Sequence, residues 1–259
     1  MRKTHYAATV LAILLTAFCI VPFLYVLVKS LFDMEGVFTL EYYYKVFLAQ
    51  SQYLLRFWKS LALSLCIALG QMLVSILAGY SFAKCKFTGK NFLFFLLIIW
   101  MIMPLQVTLV PNYVMLDRLG LLNTYYALAL PMIFVPLGAF IMTQSFKAIP
   151  NEIMEAAQLD SGNTLRIIFK IMLPMSKSGL VCTALLSFLD GWNMVEQPIV
   201  FLKELSQYPL SVALASVPPG DPNVQLVCCI LAALPPLLLF ALFNREMAEG
   251  IELGGNKTI

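Results

Sequence analysis

Asp190, Trp192, Asn193, Glu196 and Gln197 lie close together inside a segment that is otherwise hydrocarbon-like. Charges inside a membrane span are costly, and residues that carry them usually face a bundle interior or a water-filled cavity. Two kinds of chemistry fit this group. On a translocation path, Asp190, Asn193 and Gln197 would bind hydroxyls while Trp192 stacks on a sugar ring. As packing groups, the same side chains would hydrogen-bond to a neighbouring helix or set a kink before Pro198. On a continuous helix the spacing places Asp190 with Asn193 on one face and Trp192 with Glu196 on another. Asp190 and Glu196 do not form an acid–base pair, because six residues of helix separate them by roughly 9 Å along the axis. No nucleophile, base and orienter set is present, so the chain is not read as an enzyme. Gln106, beside Pro104, and Gln71 are further candidates for the path, and each also suits helix packing.

The elements that must position these residues are membrane helices. Of 259 residues, 61% are hydrophobic and 12% charged, with a mean hydropathy of +0.85, where a soluble domain carries roughly 25% charged residues. A span needs about 20 mainly apolar residues, and the chain supplies six such stretches in one membrane domain, residues 1–259. The first, 7–30, is too long for a signal h-region and is read as a retained helix kinked at Pro22. Residues 31–58, with Tyr42, Tyr43 and Tyr44, read as a chain running along the headgroup region. Further spans are expected over 60–83, 91–110 (ending near Pro111, with a short interfacial helix over 112–119), 123–146, 178–202 and 224–243, the last interrupted by Pro235 and Pro236. Prolines inside spans are tolerated where neighbouring groups satisfy the freed backbone. A polar tail, 244–259, follows.

Cys19, Cys66, Cys85, Cys182, Cys228 and Cys229 fall in or beside apolar segments without metal-ligand spacing, and the lone His5 has no second ligand, so no metal site is expected. The formal charge of +3 comes from scattered residues, which excludes a nucleic-acid stripe. It reports topology instead. With both termini inside, Arg2, Lys3, Lys84, Lys86, Lys90, Lys147, Arg166, Lys170, Lys177, Arg245 and Lys257 are cytoplasmic. Only Lys29, Lys45, Arg56, Lys59, Arg118 and Lys203 lie outside.

That orientation puts the loop 147–177 in the cytoplasm. Within it Pro150, Glu152 and Glu155 signal a helix start, Gly162 can supply a left-handed stop, and Ala156 with Ala157 give a low-relief face. No segment matches G-x-x-x-x-G-K-[ST]. The nearest approach, Gly89-Lys90, has Lys84 at the first glycine position and Asn91 at the last. ATP bound in the P-loop manner is therefore excluded.

Glu155, Ala156 and Ala157, followed at fixed distance by Ile171, Leu173 and Pro174, resemble the EAA loop of ABC importer permeases, and Pro150, Asp160 and Phe169 resemble its carbohydrate-uptake branch. One departure is that Ser161 stands where that family usually has glycine, with Gly162 following. Trp192-Asn193 before a proline resembles the fifth-span pattern of the same branch, with Met194 where an acidic residue often stands. Val217, Pro218, Pro219, Gly220, Asp221, Pro222 and Asn223, in the external loop 203–223, resemble the scoop loop of the smaller membrane subunit of maltose-type importers.

The resemblance implies an all-α integral membrane protein with six transmembrane helices, the type I ABC importer permease fold and a cytoplasmic coupling helix. It implies that Glu152, Glu155, Ala156, Ala157, Asp160 and Gly162 couple to an ATP-binding subunit, which would use ATP and Mg while this chain binds no cofactor. The implied assembly adds a second permease, two ATP-binding subunits and an extracytoplasmic solute-binding protein in a prokaryotic plasma membrane. The implied function is alternating-access import of a sugar or oligosaccharide. Import of a non-sugar solute by the same machinery, or ion-coupled transport with the ion on Asp190 or Glu196, are the alternatives.

Overall fold

The computed structural model describes residues 2–33, 35–49, 51–160, 162–215 and 222–255. Helix α1, Arg2–Lys29, runs through Pro22. A turn with a bridge between Phe32 and Phe38 leads to α2, Glu41–Tyr44, and a π-helical turn, Lys45–Ala49. Next come α3, Ser51–Lys84; α4, Lys90–Ile102; α5, Leu105–Arg118; α6, Tyr125–Ile133; and α7, Pro136–Lys147. The loop expected to face the cytoplasm holds α8, Asn151–Asp160; α9, Thr164–Ile167; a π-helical turn, Ile168–Met172; and α10, Leu173–Met175. The chain then forms α11, Lys177–Trp192; α12, Glu196–Phe201; α13, Leu210–Ala215; and α14, Pro222–Gly255. Among the described residues four helical stretches are long and apolar enough to cross a membrane, or six when each sharply bent pair counts as one span.

Prolines mark two of the helix breaks, and several breaks differ from the sequence expectation. A residue before proline is pushed out of the helical region, and Met103 (φ −66°, ψ 130°) obeys this, so α4 and α5 meet at 103°. The third span therefore breaks at Pro104, and α5 continues through Pro111. Val135 (φ −59°, ψ 130°) likewise separates α6 from α7, which opens on Pro136. The expected continuous fifth span, 178–202, is broken between Trp192 and Glu196, with Pro198 in the first turn of α12. An 89° bend before Lys177 separates α9 and α10 from α11.

In contrast, α14 is not interrupted at Pro235 and Pro236. It departs from helical angles at Phe243 (φ −121°, ψ 17°) and continues into the tail. Pro236 cannot donate to the carbonyl of Ala232, and the Trp192 indole Nε1–H donates to that carbonyl at 3.0 Å. The second span also begins earlier than expected, at Ser51. Tyr53 and Phe57 of α3 join Tyr42, Val46, Phe188 and Trp192 in one cluster, and Tyr43 shares a 2.8 Å hydrogen bond with Ser30. Burial against the bundle outweighs an interfacial position for these aromatics. The expected external loop 203–223 contains α13, whose Leu210 and Val212 are buried and whose Leu210 N–H donates to Ser60 Oγ at 2.7 Å.

Small polar residues line the contacts between α3, α7 and α11 while the exterior is apolar, the pattern of a helix bundle in lipid. Ser64, Ser75, Thr143, Ser145, Thr183 and Ser187 are buried between α3, α7 and α11, whereas Phe18, Ile102 and Leu242 are more than 70% exposed. Apolar residues gain little by leaving lipid tails, so such helices associate through close packing of small residues. A Cβ on Gly79 of α3 would lie 2.6 Å from Met142 Cβ and 2.9 Å from its backbone carbonyl carbon on α7. Gly138 similarly faces Ser75, and Gly179 faces Ser145. Gly162, by comparison, has open space around it and does not adopt the left-handed conformation expected of it. Gly79→Leu is expected to destabilise the detergent-solubilised protein by about 1–3 kcal/mol. Gly162→Ala should change stability by less than about 0.5 kcal/mol, and thermal unfolding of the two variants side by side measures both.

Candidate functional site

The breaks at Met103, Val135 and Met194 converge on an open cavity of about 610 Å³. Trp100, Met103, Leu105 and Thr108 form one wall, Met132, Val135 and Pro136 a second, and the segment from Asn193 to Gln197 with Asp190 a third. The polar groups there are held from neighbouring elements. Gln106 Nε2 on α5 donates to Glu196 Oε1 on α12 at 2.9 Å. The other carboxylate oxygen, Glu196 Oε2, is buried with no hydrogen-bond partner among the described residues. Gln197 is buried with its Nε2 3.4 Å from Met132 Sδ. Gln71 Nε2 donates to the Val135 carbonyl at the α6–α7 break, at 3.2 Å.

The structure thus lines one cavity with Asp190, Asn193 and Gln197 and places Gln106 one hydrogen bond away, on Glu196. Trp192 is turned into the bundle. It is 4% exposed, its ring stacks on Phe188 at 5.8 Å and meets Phe57 edge-on at 5.6 Å, and its N–H is used by Ala232. Since the helix ends at Trp192, the shared face expected for Trp192 and Glu196 does not form. Sequence reasoning gave Glu196 no place on the path. The signal for it was Pro198, since a proline in a first turn marks a helix that starts just before it.

A second feature lies at the end of the bundle where α3 ends and α8 begins. Lys84 Nζ, at the end of α3, donates to the Ile149 carbonyl at 2.6 Å and to Asn151 Oδ1 at 2.9 Å, fixing the start of α8. Helix α8 begins at Asn151, one residue after the position expected from Pro150. Its Met154 and Ala157 pack against Ile76, Tyr80, Phe146, Ile167, Ile168 and Met172. Asn163 Oδ1 accepts the backbone N–H groups of Leu165 and Arg166 and so starts α9.

Glu152, Glu155 and Ala156 are exposed, and Leu159 is 90% exposed. The two alanines therefore do not share one low-relief face. Successive residues on a helix are a little under a third of a turn apart, and Ala157 falls on the buried side with 5% exposure. Asp160 ends the helix. Leu159 was missed, because a leucine in a largely apolar chain carries no signal until its neighbours are placed.

Of the external stretch, Val217, Pro218, Pro219, Gly220 and Asp221 lie outside the described residues. Pro222 opens α14, and Asn223 Nδ2 donates to the Phe32 carbonyl at 3.4 Å. Among the described residues no three His, Cys, Asp or Glu side chains are grouped to hold a metal ion, and the six cysteines are free.

Comparison with known proteins gives this arrangement a family. Residues 71–245 match the model of the binding-protein-dependent transport system inner membrane component. The chain is 32% identical to the arabinooligosaccharides transport system permease protein AraQ of Halalkalibacterium halodurans, over 89% of this chain and 83% of that protein. It is 28% identical to the sn-glycerol-3-phosphate transport system permease protein UgpE of Brucella melitensis, over 75% of this chain and 71% of that protein. Its fold matches a chain of a bacterial ABC transporter involved in the import of the acidic polysaccharide alginate, with a TM-score of 0.77 at 19% identity, covering 95% of this chain and 98% of the other. The chain accordingly belongs to the binding-protein-dependent transport system inner membrane components and is a multi-pass permease of a bacterial ABC importer, not a catalytic subunit.

Proposed function

We propose that this permease forms part of an alternating-access pathway for a sugar or oligosaccharide. It works with a second, similar permease, two subunits that bind and hydrolyse ATP with Mg, and an extracytoplasmic solute-binding protein. The whole chain, 1–259, acts as one membrane domain with both termini in the cytoplasm, as the excess of Lys and Arg on the α8 side favours.

The observation that carries this reading is the packing of α8 against the bundle. Its inner face rests on Ile76 of α3, Phe146 of α7 and the turn before α11. The far ends of α7 and α11 carry part of the cavity lining, at Pro136, Leu137 and Asp190. A push on the outer face of α8 therefore reaches the cavity walls through packed side chains rather than through a loop. Glu155, Ala156 and Leu159 form the docking face for an ATP-binding subunit, with Glu152, Asp160 and Gly162 at its margins. Ala157 holds the helix to the bundle from the other side.

Solute passes through the cavity. Asp190, Asn193, Glu196 and Gln197 supply hydrogen-bonding groups there, and Trp100, 51% exposed, offers the stacking face that Trp192 does not. The relatives named for arabinooligosaccharides and for sn-glycerol-3-phosphate support a hydroxyl-rich solute. The segment Val217 to Asn223 is assigned to the binding protein's cleft on the opposite side.

Glu155→Lys is expected to leave membrane insertion intact but to remove the ATP-binding subunit from material purified through a tag on this chain. Uptake of a labelled oligosaccharide should fall by at least about tenfold, equivalent to ~1.4 kcal/mol of docking energy; normal uptake would remove the docking role from α8. A second expectation concerns the cavity wall. Gln106→Leu leaves both Glu196 oxygens without a protein donor and should lower stability by about 1–3 kcal/mol. Adding Glu196→Leu should recover most of that loss, as a double-mutant cycle of unfolding in detergent would reveal.

A further inference from the structure

The cavity has a charge as well as a shape. Its fifteen lining residues include two carboxylates, Asp190 and Glu196, and the amides Asn193 and Gln197, with no Lys, Arg or His among them. Basic side chains of the bundle are used elsewhere: Arg56 on the Leu205 carbonyl at 3.2 Å, Lys84 on the start of α8, and Lys177 on Glu246 at 3.2 Å.

The charge of Glu196 is not offset by a protein cation in the cavity lining. Gln106 occupies one of its oxygens, and the other is buried without a donor among the described residues. A buried carboxylate oxygen left unpaired is costly. An anionic solute would bring a like charge toward two carboxylates in a cleft lined by one sign of charge.

We propose that this cavity is an anion-excluding filter, and that the solute it passes is an uncharged polyhydroxylated molecule. That separates this chain from similar proteins named for the transport of glycerol phosphate and of an acidic polysaccharide. The solute class rests on reading the cavity as the path of a sugar importer, whereas the charge of the filter can be measured without any solute.

The test places Val195→Cys, at a 41% exposed lining position, in the assembled importer with the six native cysteines replaced. Thr108→Cys on the facing wall serves as a second reporter in case the first does not fold. A trimethylammonium-bearing and a sulfonate-bearing methanethiosulfonate are compared for their rates of modification, each relative to its rate with a small thiol in solution. The cationic reagent should be favoured by at least about tenfold, the scale of focusing in a cleft lined by one sign of charge. Asp190→Asn together with Glu196→Gln should return the ratio toward its solution value.

A ratio equal to the solution value, or one that the two substitutions leave unchanged, overturns the filter. In vesicles of the same importer, uptake of a neutral oligosaccharide should exceed that of its uronate-containing counterpart, and the double substitution should narrow the difference. Equal uptake of both by the unsubstituted importer also overturns the filter. Charge-selective labelling without uptake of either sugar removes the sugar reading and leaves the filter standing.

Discussion

In a bilayer no water is at hand to satisfy a backbone carbonyl, so each one must find a donor within the protein. This chain carries fourteen prolines, and a proline inside a helix leaves the carbonyl four residues earlier without its donor. One such carbonyl is answered by a side chain from another element: the Trp192 indole serves Ala232, freed by Pro236. In the break before α12 the Ser211 hydroxyl serves the carbonyl of Met194 at 2.5 Å. Helix α14 runs on through its proline pair, with the Ala232 carbonyl served in this way. At Met103 and Val135 the backbone itself turns extended before the proline and the helix ends.

The ends so created gather around one cavity. Broken helices expose polar backbone and permit amides and carboxylates where a straight apolar span would not. Gln71, Gln106 and Glu196 occupy this region for the same reason. The rest of the bundle is closely fitted. Gly79, Gly138 and Gly179 bring α3, α7 and α11 close enough that displacement at one end must be carried as a body rather than absorbed between helices. The tie from Lys84 to Ile149 and Asn151 joins α8 to that body.

Much of this was legible before any coordinates. Long apolar runs report spans because lipid requires them, and the E-A-A run with its distal I-x-L-P reports the family because few other arrangements carry both. The polar cluster from Asp190 to Gln197 pointed to the segment that lines the cavity. Direction of side chains was not legible. Treating 178–202 as one helix assigned Trp192 a face that disappears once the helix ends there, and only the position of Pro236 on another helix explains where its indole goes. Ala156 and Ala157 are chemically identical and adjacent, and only the apolar cluster beneath α8 separates them. The early start of α3 was hidden because Tyr53 and Phe57 suit a membrane interface as well as a bundle interior, and their partners are distant in sequence.

The most direct test of this account is a double-mutant cycle on Trp192 and Pro236, read by thermal unfolding in detergent. Trp192→Phe keeps an aromatic ring but removes the donor to the Ala232 carbonyl, and should cost about 1–3 kcal/mol. In a Pro236→Ala background the backbone N–H of residue 236 can serve that carbonyl, so the same change should cost much less. An equal cost in both backgrounds would contradict the claim that the Trp192 indole answers the carbonyl that Pro236 sets free.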